Sequence, residues 1–188
     1  MKGKSGIYGL ALIASVMLAI TLAACTKQQL QTTYDSQDKR IDSFIQSQLS
    51  SSKALRTYPN GGSSRLVIVE GEGEDSLSTS GSVTFHYAAY TFSGSISSSN
   101  LFATNHEQTI SDSGWSTVSG IDTNPVTLKL DSDDIVEGLR MGLFGVKAGQ
   151  ECYILFSGKY GFGSKPIGTI PANSALLYHI WVESIDNN

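Results

Sequence analysis

Val146-Lys-Ala-Gly-Gln-Glu-Cys-Tyr-Ile-Leu-Phe156, then Ser157-Gly-Lys-Tyr-Gly-Phe-Gly163, then Ile170-Pro-Ala-Asn-Ser-Ala-Leu176 decide the fold. Gly149 turns the chain into an apolar strand at Cys152 to Phe156. An aromatic corner and a glycine-rich flap follow, and Pro171 marks a second turn. Ala175 to Ile185 is then a long, nearly continuous apolar strand that closes a sheet. This order places an extended flap between two neighbouring strands.

Upstream of this segment the chain also reads as strands. Leu66 to Val69 is a short β-branched run ended by Gly71 and Gly73. Val83, Phe85 and Tyr87 alternate with Thr84, His86 and Ala88, the period of a half-buried strand. Leu128 and Leu130 alternate after Pro125. Asp131 to Phe144 reads as a short helix, with Asp131 or Ser132 as cap and Ile135, Val136 and Leu139 on one face. One helix among antiparallel strands buries its apolar side only by lying across a sheet, so the expected class is α+β.

The amino terminus sets the compartment. Lys2 and Lys4 precede an apolar run to Ala24, and Leu22-Ala23-Ala24-Cys25 fits a bacterial lipobox. Residues 1–24 therefore read as a signal peptide and Cys25 as the lipidation site. The competing reading is an uncleaved membrane anchor, because the run approaches spanning length. Acyl chains on Cys25 would hold the protein on a membrane without a spanning helix. Thr26 follows the cysteine where an aspartate would retain the protein at the inner membrane. The expected location is the outer membrane, facing the periplasm.

Residues 25–33, rich in Gln and Thr, read as a flexible lipid-anchored tether. Ile41, Phe44, Ile45 and Leu49 fall at helical spacing, with Asp35 or Ser36 as cap, so residues 34–50 form a short amphipathic helix. Its stripe serves either as packing on the following domain or as a partner contact. Ser50 to Ser64 reads as a Ser-rich and Gly-rich linker with a Tyr-Pro-Asn-Gly-Gly turn, which leaves residues 65–188 as the folded domain. After signal removal about 160 residues remain, enough for one domain with its own core.

Several classes are excluded. The net charge is −4, with no basic run, so nucleic acid is not a partner. Gly158-Lys-Tyr-Gly-Phe-Gly lacks the order of a phosphate loop, which argues against nucleotide. His86, His106 and His179 show no metal-ligand spacing. Asp131, Asp133 and Asp134 fit an acidic helix start better than a cation site. No Gly-x-Ser-x-Gly elbow occurs. Cys152, in an apolar strand, reads as a buried inert thiol; with Cys25 lipidated it has no disulfide partner.

The quoted segment resembles the carboxy-terminal half of FK506-binding-protein-type (FKBP-type) peptidyl-prolyl cis–trans isomerases. Val69-Glu-Gly-Glu-Gly, Val83-Thr-Phe-His-Tyr and Asp134-Ile-Val-Glu-Gly-Leu extend the resemblance over about residues 66–185. It implies an FKBP-like antiparallel twisted sheet wrapped around one short helix, with the amino-terminal helix outside the domain. It also implies a pocket for a prolyl ring and no cofactor. By resemblance Tyr87 is the pocket tyrosine and Phe102 packs on the prolyl ring. Val126 takes a position usually aromatic. Asp134 offers a backbone carbonyl, and Ile135 and Val136 are the aliphatic pair, with the Val136 N–H directed to a ligand carbonyl. Phe162 and Ile170 come from the flap and Tyr178 from the closing strand.

Three positions depart from the family pattern. Leu139 replaces a floor tryptophan, Ala103 replaces an aspartate, and Phe162 lacks the flap tyrosine's hydroxyl. The resemblance implies proline-containing polypeptide clients and possible macrolide ligands. The expected function is a lipid-anchored isomerase and folding helper for exported proteins. The alternative is a catalytically weak or inactive module that grips proline-containing or extended chains. The segment 105–124 is longer than the family's usual connection. Its Trp115 either anchors the loop on its own domain or covers the site; a plugged site would leave a structural lipoprotein.

Overall fold

The computed structural model describes residues 5–117, 120–131 and 134–188, with side chains from Lys27 onward except Thr117. Ser132 and Asp133 lie outside the described residues, and so do the side chains of the signal segment and of Cys25. The lipidation expectation rests on those. The chain divides into a first unit ending at Ser36 and a second, Gln37–Asn188.

Helix α1 spans Ser5–Ser50. In the first unit the expected flexible tether is helical. Thr32 and Thr33 donate to the carbonyls of Gln28 and Gln29 at 2.9 and 3.0 Å, and Gln31 donates to Asp35 at 2.7 Å. Gln, Lys and Leu carry little helix penalty, so low apolar content does not exclude a helix here. Among residues with described side chains, no helix is long and apolar enough to cross a membrane.

The second unit is built on one antiparallel sheet. Its strands are β1 (Arg56–Asn60), β2 (Ser63–Val69), β3 (Ser82–Thr91), β4 (Leu101–Thr104), β5 (Val126–Lys129), β6 (Glu151–Phe156) and β7 (Leu176–Asp186). The order is β1-β2-β6-β7-β3-β4, with β5 also paired to β3. The α1 turns from Gln37 onward belong to this unit, together with the short helices α2 (Glu107–Asp112) and α3 (Glu137–Leu143). The α+β expectation and its short central helix hold.

The supposed linker is in fact a hairpin. Arg56 to Asn60 pairs with Ser63 to Val67, turning through Gly61-Gly62. Strand β1 is the sheet edge and mostly exposed, so it lacks the apolar alternation that would announce it. Domain structure therefore starts before residue 65. The helix predicted over 131–144 is shorter. Val136 is its N-cap, with φ −54° and ψ 130°, so Asp131 and Asp134 precede it and do not form its first turn.

Both sheet faces are covered, which is why β6 and β7 read as continuous apolar runs. On the inner face Cys152, Ile154 and Phe156 of β6 and Leu176, Tyr178 and Ile180 of β7 pack with Leu139 and Leu143 of α3. Gly138 and Gly142 let α3 lie this close, because a Cβ there would collide with the Phe156 ring and with Ile154. The buried Arg65 closes the far end of α3, donating to the carbonyls of Gly142, Phe144 and Gly145 at 3.0, 2.6 and 3.1 Å. A cation at a helix carboxy terminus is favoured by the dipole. On the outer face Ile41, Phe44 and Ile45 of α1 pack with Leu66, Tyr90, Leu155 and Leu177. The amphipathic stripe thus packs on its own domain.

Candidate functional site

On the inner face the sheet and α3 leave an open cavity of about 320 Å³. Alternation along β3 brings Phe85, Tyr87 and Ala89 to its wall. Strand β4 supplies Phe102 and Ala103, β5 supplies Val126 and Leu128, and β7 supplies Tyr178. Leu139 of α3 contributes from the helix side and Phe162 from the flap, residues 158–173. Among the described residues, no acidic, basic or imidazole side chain lines the cavity.

The aromatic walls support one another. Phe102 meets Phe162 edge-on at 6.3 Å and Tyr178 edge-on at 6.2 Å between ring centroids. Phe156 stacks behind Tyr178 at 6.0 Å, and Phe85 meets Tyr87 at 6.2 Å. Such offset and edge-on pairs hold their rings in place beyond simple burial. Burial raises the Tyr178 and Tyr87 hydroxyls above the ordinary phenol value, so both stay neutral at physiological pH.

Six of the ten expected pocket residues meet at this cavity: Tyr87, Phe102, Val126, Leu139, Phe162 and Tyr178. The other four do not form its wall. Ile135 and Ile170 are buried in the inner core, Val136 packs against that core, and Asp134 is exposed. Val136 offers a backbone group instead. Its carbonyl starts α3 by accepting the Arg140 N–H at 3.0 Å, while its own N–H has no hydrogen-bond partner among the described residues.

Phe85 and Leu128 line the cavity although sequence reasoning singled out neither as a pocket residue. The signal was present, because Phe85 stands two residues from Tyr87 and Leu128 two from Val126 on paired strands. Asn105 was also missed. It is buried, accepts the Tyr87 N–H at 2.6 Å and donates to the Asn124 carbonyl at 2.8 Å. Thr104 donates to the Tyr87 carbonyl at 2.7 Å. These two side chains fix the backbone that carries the pocket tyrosine, and Asn105 joins both ends of the 105–124 insertion.

Trp115 packs against the outer-face cluster and takes no part in the cavity wall. The plugged-pocket reading is thereby removed. The histidines also belong to the outer face. His106 stacks on Trp181 at 3.7 Å, His179 lies 3.7 Å from the same ring, and His179 pairs with Glu151 at 2.7 Å. His86 pairs with Glu183 at 3.0 Å. Cys152 is fully buried, which pushes its thiol up to about 12 and leaves it inert at neutral pH.

Known proteins resemble the chain in sequence and in fold. The chain is 28% identical over 124 residues to the FKBP-type peptidyl-prolyl cis-trans isomerase FkpA of Buchnera aphidicola subsp. Schizaphis graminum (strain Sg). That match covers 65% of this chain and 41% of the relative, so the chain spans about two-fifths of the relative's length. Among solved structures, the three FKBP domains of wheat FKBP73 superpose with a TM-score of 0.53 at 18% identity, covering 70% of this chain and 49% of that one. The N-terminal domain of FKBP42 from Arabidopsis thaliana superposes with a TM-score of 0.52 at 19% identity, covering 71% and 94%. At these identities the superpositions speak to the fold. The sequence pattern defining the FKBP-type peptidyl-prolyl cis-trans isomerases matches residues 74–183, more than half of the chain. The chain belongs to the FKBP-type peptidyl-prolyl cis-trans isomerase family.

Proposed function

We propose that this protein is a peptidyl-prolyl cis–trans isomerase that acts on exported polypeptides while held to a membrane by lipid on Cys25. The observation that carries the catalytic part is the open, aromatic-walled cavity of about 320 Å³, with no charged side chain among its described lining residues. An X–Pro amide must cross a rotation barrier of about 18–20 kcal/mol that comes from its partial double bond. Twisting the amide removes conjugation and makes it less polar. A dry apolar wall favours this twisted form over the planar, water-solvated one. Tyr87, Phe102, Phe162 and Tyr178 enclose the prolyl ring, Leu139 forms the floor, and the Val136 N–H donates to a substrate carbonyl. Each tenfold in rate needs about 1.4 kcal/mol of such preference. The mechanism uses no nucleophile.

A second reading follows from one observation. Ala103 lines the cavity, and the Tyr87 hydroxyl has no partner among the described residues. A site missing this polar contact fits a module that grips proline-containing or extended chains without substantial turnover. A proline-limited peptide assay separates the two. For the isomerase, the parent chain accelerates the cis–trans step and Tyr87→Ala or Phe162→Ala abolishes the acceleration. Clear peptide or macrolide binding with no acceleration supports the binding module.

The lipobox at Leu22-Ala23-Ala24-Cys25 supports export and anchoring, and Thr26 supports sorting to the outer membrane with the domain in the periplasm. Labelling cells with radioactive palmitate tests this directly. Incorporation that vanishes in Cys25→Ala supports the anchor, and an unlabelled parent chain rejects it.

A further inference from the structure

The flap carries Phe162 into the cavity, and its two ends meet at one side chain of α1. Gly158, at its start, donates its N–H to Gln37 Oε1 at 2.8 Å. Gln37 Nε2 donates to the Asn173 carbonyl, at the flap's end, at 2.8 Å. Gln37 is 7% exposed, so neither bond is exchanged freely with water. Only one orientation of the amide satisfies both partners, oxygen toward the N–H and nitrogen toward the carbonyl. The two flap ends lie so close that a Cβ on Gly158 would collide with the Asn173 carbonyl. Within the flap, Asn173 donates its N–H to the Gly163 carbonyl at 2.8 Å, one residue from Phe162.

We propose that Gln37 is a positioning residue for the pocket: its amide fastens both ends of the flap and thereby sets Phe162 against Phe102. This rests on the reading of the cavity as a proline site. A loop with tied ends has fewer conformations to lose when it closes on a ligand. The helix before the domain therefore does more than cover the sheet. It supplies the bolt that holds a pocket wall in place from the other side of the chain's topology.

The test uses the parent chain, Gln37→Met and Gln37→Glu. Methionine keeps the length, apolar stem and helix preference while removing both bonds. Glutamate keeps an acceptor for Gly158 but sets a carboxylate oxygen against the Asn173 carbonyl. Three quantities are read on protein shown to be folded by circular dichroism. They are amide exchange at Gly158, the Kd for a tetrapeptide with one Leu-Pro bond, and KM and kcat for its isomerisation. In Gln37→Met, Gly158 exchange is expected to quicken about tenfold or more. Kd and KM rise about three- to tenfold while kcat changes less than twofold, with Gln37→Glu in between.

Exchange and Kd within twofold of the parent in both folded variants would overturn the proposal. A parent that binds the peptide without turnover defeats the isomerase reading alone, and exchange and Kd still decide the role of Gln37. A parent that neither binds nor turns over the peptide removes both.

Discussion

Val136→Pro separates the backbone donor from everything else at the site. Val136 has φ −54° and ψ 130°, within reach of the φ that proline imposes. Its N–H serves no bond among the described residues, while its carbonyl, which starts α3 through the Arg140 N–H at 3.0 Å, is retained in proline. The substitution therefore deletes one donor without breaking the helix. A hydrogen bond of this kind contributes about 0.5–1.5 kcal/mol, so kcat/KM should fall about two- to twelvefold. Relative to Val136→Ala, which also gives up the packing of the valine side chain on the inner core, stability should move the other way, by about 0.4–1 kcal/mol in favour of the folded chain, because proline restricts the unfolded ensemble. The assay compares Val136→Pro with Val136→Ala, which keeps the N–H and loses the side chain. Urea denaturation supplies the stability. If Val136→Pro turns over proline peptides as fast as Val136→Ala, the donor has no part in the reaction and that element of the mechanism is refuted.

Other positions give independent checks. Arg65→Met leaves the carbonyls of Gly142, Phe144 and Gly145 without their donor and should cost about 2–4 kcal/mol in urea denaturation; a loss below about 0.5 kcal/mol contradicts the helix-closing role. Gly138→Ala drives a methyl into the Phe156 ring, which stacks behind Tyr178, so both stability (about 1–3 kcal/mol) and peptide turnover should drop. Burial holds the His179 and His106 imidazoles below their ordinary 6.5, with Glu151 opposing the shift at both. The unfolded chain then binds more protons, so this contribution is complete above about pH 6.5 and declines as pH falls below it. Glu151, held low chiefly by its hydrogen bond with His179, adds a contribution present above 4.5 and lost as pH falls through its folded value. Denaturation midpoints at pH 7.5 and 5.5 check the sign, and His106→Gln should flatten the upper part of the decline.

What the sequence revealed and what it concealed divide along physical lines. Strand alternation was legible where one face meets the core, as at Val83, Phe85 and Tyr87, because the period of two survives any detail of pairing. The flap and closing strand were legible because glycine and proline punctuate them. Strand β1 was hidden because an edge strand with exposed side chains carries no hydrophobic rhythm. The late start of α3 was hidden because Ile135 and Val136 are apolar like the helix face that follows, yet Ile135 lies in a bend and Val136, with ψ 130°, is the N-cap. Ile135 is buried in the inner core and Val136 packs against it. Gln37 and Asn105 were invisible for another reason. Their amides serve backbone groups distant in sequence, 136 residues away for the bond to Asn173, and no local pattern marks a side chain whose partners are assembled only by the fold.

The covering of the outer sheet face sets the smallest piece that can be handled in a test tube. The family's pattern begins at residue 74, but a polypeptide trimmed to 74–183 would lose β1, β2 and the α1 turns. Tyr90, Leu155 and Leu177 would then open to water, and β6 would present a bare hydrogen-bonding edge. Such a fragment is built to clump. Anyone grafting this pocket onto another protein has to carry the helix along, beginning no later than Gln37.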